Sequence, residues 1–144
     1  MALVKQVQVT FDCASPRAVA AFWRVAVGYV DPPPPEGFDS WDAFEATLPS
    51  EFHDSRWALI DPSGSGPRFF FQRVPEVKSV KNRLHLDIRV APGLTGDARF
   101  AALDAEAARL EALGATRVEA RRASGFEESW IVMQDVEGNE FCLD

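Results

Sequence analysis

Leu84-His85-Leu86-Asp87-Ile88 is the stretch on which the fold turns, because the chain has already written something close to it as Val7-Gln8-Val9-Thr10-Phe11. Outward from each copy the order repeats. A helix runs to Gly28 in the first half and to Gly114 in the second. A Trp-led strand follows, Trp57-Ala58-Leu59-Ile60-Asp61 in one half and Trp130 to Asp135 in the other. A glycine turn then leads into Phe69-Phe70-Phe71-Gln72 or Phe141-Cys142-Leu143-Asp144. An internal repeat of this length predicts two similar units packed as a pair with a cleft between them. Function then depends on which side chains face that cleft.

The flanking residues give each element its ends. Val7, Val9 and Phe11 alternate with Gln8, Thr10 and Asp12, the period of a strand with one buried face. Ser15-Pro16 predicts a helix start, since a serine oxygen can accept from the free amides and proline loses no bond at the first helical position. Val19, Phe22, Trp23 and Ala26 form the apolar stripe of this helix, and Gly28 permits a left-handed stop. Pro32 to Pro35 predict a stiff, extended link. Ser40 caps a short helix in which Trp41, Phe44 and Leu48 recur at helical spacing. The stretch from about Asp31 to Arg56 has no partner in the second half and reads as an insertion over one side of the cleft. In the second half Phe100, Leu103, Ala107, Leu110 and Gly114 predict a helix lying on a sheet, with Asp104, Glu106, Arg109 and Glu111 towards water. Strands near Arg117 to Arg121, Trp130 to Gln134 and Glu140 to Leu143 complete a βαβββ order. In the first half the proline insertion displaces or replaces the second strand.

Composition bounds the rest. The chain has 144 residues, 47% of them hydrophobic and 11% aromatic, ample for the core of one domain. The net charge of -7, with basic residues scattered, opposes nucleic acid and acidic membrane surfaces. Met1 to Gln6 lead directly into the first strand, which leaves no room for a signal segment and predicts a cytosolic protein. In that compartment Cys13 and Cys142 are expected as free thiols.

Taken with Ala21-Phe22-Trp23, Val27-Gly28-Tyr29, Asn82-Arg83-Leu84-His85-Leu86-Asp87, Leu113-Gly114-Ala115 and Asp135-Val136-Glu137-Gly138-Asn139-Glu140-Phe141, this order resembles the vicinal oxygen chelate superfamily and its glyoxalase-like branch. The resemblance implies an α+β protein: two tandem βαβββ modules forming a curved sheet cup, with helices on the convex side. Module one would cover about residues 1–76, with the insertion at about 31–56, and module two about 82–144, within a single domain over 1–144. It also implies a divalent metal and a small substrate in the cup, and a homodimer. Members include glyoxalase I, ring-cleaving dioxygenases, epimerases, fosfomycin-modifying enzymes and metal-free drug-binding proteins, so the fold alone selects no chemistry.

The metal ligands that the resemblance implies are a His on the first strand and a Glu on the last strand of each half. The first-strand positions here are Gln8 and His85. Aligning Gly66 with Gly138 makes the last-strand positions Phe70 and Cys142. Only His85 keeps a family donor. A catalytic metal needs about three or four donors from the protein. Phe70 has none to give, and a glutamine oxygen is a weak neutral ligand. The inherited site is therefore expected to hold no metal, and no other cofactor is implied. A remodelled site is the alternative, with Gln72 or Asp144 as substitute donors, or His85 and Cys142 favouring a softer ion such as zinc. Strand rise moves a donor two residues along by about 6–7 Å, which changes the geometry.

His85 and Asp87 face one side and suit a general base oriented by a carboxylate, because imidazole titrates near neutrality. They equally suit a structural hydrogen-bond knot, which Arg89 would complete as an ion pair. Gln8, Thr10 and Gln72 are candidate hydrogen-bonding points for a ligand or solvated face residues. Cys142 lacks a neighbouring cation or helix N-terminus to activate it and reads as a half-buried hydrophobe. Trp41, Phe44, Phe52, Trp57, Phe70 and Trp130 can wall an apolar pocket that stacks on a planar ligand, or fill the core. His53 beside Asp54 reads as a loop surface residue, and Arg117, Glu119, Arg121 and Arg122 as a solvated strand face. These residues predict a glyoxalase-like protein that binds a small, partly apolar molecule in the cup between the modules, without the family's metal. The alternative is a lyase, isomerase or dioxygenase using His85 as base or a remodelled metal site.

Overall fold

The alternation read from the first strand begins one residue later than Val7, which is exposed and precedes it. β1 (Gln8–Cys13) turns Val9, Phe11 and Cys13 inward and leaves Gln8, Thr10 and Asp12 exposed. The computed structural model describes residues 3–144, so the reading of Met1 and Ala2 lies outside the described residues. The chain divides into two units, Met1–Val77 and Lys78–Asp144.

In the first unit β1 is followed by α1 (Pro16–Val27), which buries Val19, Phe22, Trp23 and Ala26 as their spacing predicts. Gly28 closes it in the left-handed region at φ 74°. The start differs from the expected serine cap. Ser15 makes no side-chain cap bond, and the Arg17 amide donates instead to the Asp54 carboxylate at 2.9 Å. β2 (Arg56–Leu59) and β3 (Arg68–Arg73) complete a three-stranded sheet in the order β1-β3-β2, with β1 parallel and β2 antiparallel to β3. The second strand of the repeat has shrunk to one bridge between Val30 and Ile60. α1 packs on the sheet through rings: Phe11 lies 5.0 Å from Trp23 and stacks on Phe71 at 4.9 Å. Each fully buried large side chain here, such as Trp23 or Phe71, contributes about 2–3 kcal/mol.

Between α1 and β2 the insertion forms α2 (Trp41–Glu45), where the Ser40 hydroxyl accepts from the Ala43 amide at 3.0 Å, and a 3-10 turn at Ser50–Phe52. Leu48 lies beyond α2, so the expected helical triad is cut to Trp41 and Phe44.

The second unit has the full βαβββ order: β4 (Leu86–Ile88), α3 (Gly96–Glu111), β5 (Thr116–Arg121), β6 (Trp130–Gln134) and β7 (Glu140–Leu143), in sheet order β4-β7-β6-β5. β4 is shorter than expected, leaving Leu84 and His85 ahead of it. α3 buries Leu103, Ala107 and Leu110 against a sheet face that includes Ile131, Met133, Phe141 and Leu143. Its first inward residue is Arg99, where the spacing predicts Phe100. Arg99 is admitted because its guanidinium donates to the Ser129 carbonyl at 3.0 Å and pairs with Asp144. Phe100 is half-buried beneath the Arg122 guanidinium, 3.8 Å from its ring centre. Cys13 and Cys142 are free thiols. The chain is thus α+β with tandem modules, and among the described residues no helix is long and apolar enough to cross a membrane.

Strand register makes the repeat quantitative. Thr10 pairs with Phe70 and Ala58 with Phe70; Asp87 pairs with Cys142 and Val132 with Cys142. Gln8, Thr10 and Phe70 are therefore the counterparts of His85, Asp87 and Cys142. The turn glycine equivalent to Gly138 is Gly64, not Gly66, since each amide donates back to the preceding aspartate carbonyl at 3.0 Å. The first-unit loop is two residues longer, which leaves the Phe70–Cys142 correspondence intact.

Candidate functional site

Parallel pairing of β1 with β3 lines up Gln8, Thr10, Asp12, Arg68, Phe70 and Gln72 on one face. Gln8 Nε2 donates to Thr10 Oγ1 at 3.3 Å, and Gln72 Nε2 donates to Asp12 Oδ1 at 2.8 Å. The central member is Arg68. Its guanidinium donates to Gln8 Oε1 at 2.6 Å and lies 5.3 Å from the centre of the Phe70 ring. Both first-unit positions that would supply metal donors are thus engaged by a cation.

This decides how far the residues fit the family's metal. Phe70 offers no lone pair, and the Gln8 oxygen is already an acceptor for Arg68. A divalent ion about 5 Å from a guanidinium is repelled by about 2 kcal/mol in water and about 7 kcal/mol at an effective dielectric of about 20. The first-unit donor set does not fit a metal.

Beside this face the insertion and β2 enclose a cavity of about 240 Å³. Trp41, Phe44, Phe52, Trp57 and Phe70 line it with Leu48, so five members of the predicted aromatic set come together in one unit. Trp130, the sixth, belongs to the second unit, half-buried with the Arg121 guanidinium 5.9 Å from its ring. Gln8, Thr10 and Gln72 do not line this cavity.

Local polar bonds hold the insertion in place. Arg17 pairs with Asp42 and with Glu45 at 2.5 and 2.9 Å, and its guanidinium lies 4.3 Å from the Trp57 ring. The Trp41 indole donates to the Pro32 carbonyl at 2.7 Å and the Trp57 indole to Asp31 at 2.9 Å. Arg73 donates to the carbonyls of Glu51 and His53 at 2.6 and 2.9 Å. His53 is exposed, with its Nε2 3.0 Å from the Leu48 carbonyl oxygen, as a loop residue should be. Asp54, at φ 48°, is structural, since its carboxylate caps α1.

The second unit presents different chemistry at the same register. His85 Nε2 lies 3.3 Å from Asp87 Oδ1, matching the Gln8–Thr10 spacing. Asp87 and Cys142 are adjacent across β4 and β7, and donor atoms of His85, Asp87 and Cys142 lie within 4.8 Å of one another. Burial pushes the Cys142 thiol pKa up, and the Asp87 charge with the hydrogen bond to it pushes further the same way. Cys142 is therefore a poor nucleophile. Arg89 does not complete the His85–Asp87 pair as expected. It pairs at 2.8 Å with Asp144, which Arg99 also holds, so Asp144 is not a spare donor. Arg117 pairs with Asp104 and Glu111, Arg121 with Glu119 and Arg122 with Asp97, a self-neutralised surface.

Arg56 and Arg68, both on the cavity wall, escaped the sequence reading. The signal for Arg68 was its place two residues before Phe70; Arg56 had none beyond its position at the head of β2.

A family model described as Glyoxalase-like domain matches residues 8–143. No curated protein sequence matches the chain. Among solved structures, a glyoxalase/bleomycin resistance protein/dioxygenase family enzyme from Burkholderia phytofirmans PsJN is 16% identical, with a TM-score of 0.62 over 94% of both chains. The fosfomycin resistance protein FosX from Listeria monocytogenes, a mutant complexed with Mn(II) and 1S,2S-dihydroxypropylphosphonic acid, is 14% identical, with a TM-score of 0.65 over 99% of this chain and 92% of that one. FosX from Mesorhizobium loti is 13% identical, with a TM-score of 0.59 over 99% and 92%. Identities this low carry the fold and nothing finer.

Proposed function

The chain belongs to the Glyoxalase-like domain family, within the vicinal oxygen chelate superfamily, and on that premise we propose that it binds a small, partly apolar molecule without the family's metal. The observation that carries the reading is the aromatic-walled cavity under the insertion, beside a strand face where Arg68 engages both first-unit donor positions. A volume of about 240 Å³ is just below the range of about 300–1,000 Å³ usual for ligand pockets, which suits a single-ring guest. Rings contribute by stacking and by burial. The protein works in the cytosol as a homodimer; the pairing rests on family resemblance and is checked by light scattering on a sizing column.

Chelator-treated protein titrated with phenylacetamide, read by tryptophan fluorescence, tests the reading. Saturable binding is expected, weakened at least about tenfold by Trp41→Ala, which removes one wall. Absence of saturation by phenylacetamide and by phenylacetate alike, or binding indifferent to Trp41→Ala, would overturn it.

The His85, Asp87 and Cys142 cluster favours a second reading, a remodelled site in the second unit. Imidazole, carboxylate and thiolate suit a zinc-class ion, which when bound supplies a Lewis acid. Without an ion, His85 oriented by Asp87 moves a proton at its free ring nitrogen. Metal analysis of freshly isolated wild type and His85→Ala separates these: stoichiometric zinc lost in the variant supports the remodelled site, and none in either disfavours it.

A further inference from the structure

The two arginines on the cavity wall meet no carboxylate, unlike most of the other arginines described; Arg73, which also meets none, is held by the carbonyls of Glu51 and His53 away from the cavity lining. Arg17, Arg24, Arg117, Arg121 and Arg122 each meet a carboxylate. The Arg56 side chain makes no hydrogen bond or ion pair among the described residues, and the Arg68 guanidinium meets only the neutral Gln8 oxygen and the Phe70 ring. The cavity's own acid is already satisfied: Glu45 accepts from Arg17 and from the Asp54 amide at 2.9 and 2.8 Å. Nearby Asp31 is likewise engaged, by Arg24 and the Trp57 indole. Since Arg17 is shared by Glu45 and Asp42, adding Arg56 and Arg68 leaves one net positive charge around the aromatic pocket, carried by two exposed guanidinium groups that no carboxylate holds, in a chain whose net charge is -7. The distant negative charges matter little, since screening limits their reach to about 8 Å at physiological salt.

We infer that the guest is a small aromatic carboxylate, its ring between the aromatic walls and its carboxylate at the Arg56 and Arg68 guanidinium groups. The inference rests on the binding reading above and adds the head group. Guanidinium forks match the planar pair of carboxylate oxygens. A partly open cavity of about 240 Å³ is of a size for one ring with a short acid arm.

The test compares phenylacetate, phenylacetamide and phenylphosphonate by calorimetry on chelator-treated protein. Phenylacetate should bind at least about tenfold tighter than the amide, with the difference shrinking as salt rises. In the R56Q/R68Q double variant the two should bind alike. Its circular dichroism and urea midpoint, matched to wild type, report that the variant is folded. If the amide binds and the acid binds no tighter, or if the preference survives in the double variant, the head-group inference fails while the binding reading stands. If phenylphosphonate binds tighter than phenylacetate, the carboxylate class is wrong. If neither the amide nor the acid binds, both readings fall.

Discussion

Gln8, Thr10 and Phe70 in one unit and His85, Asp87 and Cys142 in the other hold the same register, yet they are governed by opposite charges. Two residues before Phe70 stands Arg68, whose guanidinium engages Gln8 and covers the ring. Two residues before Cys142 stands Glu140, held by Lys78 at 3.1 Å and by the Asn82 amide at 3.0 Å. Even the next pair repeats with changed chemistry: Gln72 to Asp12 at 2.8 Å, and Arg89 to Asp144 at 2.8 Å. The backbone of the repeat is kept by register and packing, whereas the polar face diverges: in the first unit its side chains are tied to one another, and in the second Asp144 is also tied to the buried Arg99.

The largest expected difference between the units lies under their helices. The fourth residue of α1 is the buried Val19, and the fourth of α3 is the buried Arg99. Arg99→Ala leaves Asp144 and the Ser129 carbonyl without their inner partner and should cost about 2–4 kcal/mol by urea denaturation, reduced from a fully buried pair because Asp144 is partly exposed. Val19→Ala should cost only about 1–2 kcal/mol. Equal losses would show that the buried arginine is not a distinguishing support of the second unit.

A smaller effect separates the third members of the two trios. Asp87→Asn removes the charge that helps hold the Cys142 thiol protonated, while burial, the larger cause, persists. Alkylation of Cys142 in chelator-treated protein, followed by peptide mass spectrometry at about pH 8, should speed up about threefold. An unchanged rate would mean that Asp87 does not act on the thiol.

The smallest effect concerns Glu140. Burial pushes its carboxyl pKa up, but the Asn82 amide and Lys78 outweigh this and hold it below the usual value. A depressed folded pKa gives stability that is present above the unfolded value, about 4.3, and is lost as pH falls through the folded value. Wild type should therefore exceed Glu140→Gln by about 0.5–1 kcal/mol at neutral pH, with the gap closing below about pH 4. A constant gap would contradict the assignment.

The sequence made the repeat legible because strand alternation and helix stripes are local patterns. Val19, Phe22, Trp23 and Ala26 are buried as their spacing predicts. The alignment of Phe70 with Cys142 was also available, although it rested on Gly66 where the structure uses Gly64. All five aromatics of the pocket were among the six named, since large rings clustered in and beside the insertion need somewhere to pack; Trp130 alone lies elsewhere. The arginines were hidden. Arg68 acquires its role only when β1 pairs with β3 across 60 residues, and Arg99 only when Asp144, 45 residues away, reaches it. The insertion has no copy in the second unit to read it against, so its anchoring by Arg17 and Asp54 followed no pattern in the chain.

The measurement that bears most directly on a metal-free first unit is phenylacetamide binding before and after exhaustive chelation, with zinc and manganese added back. Affinity unchanged throughout is the predicted result. Loss of binding on chelation with recovery on adding either ion would contradict it.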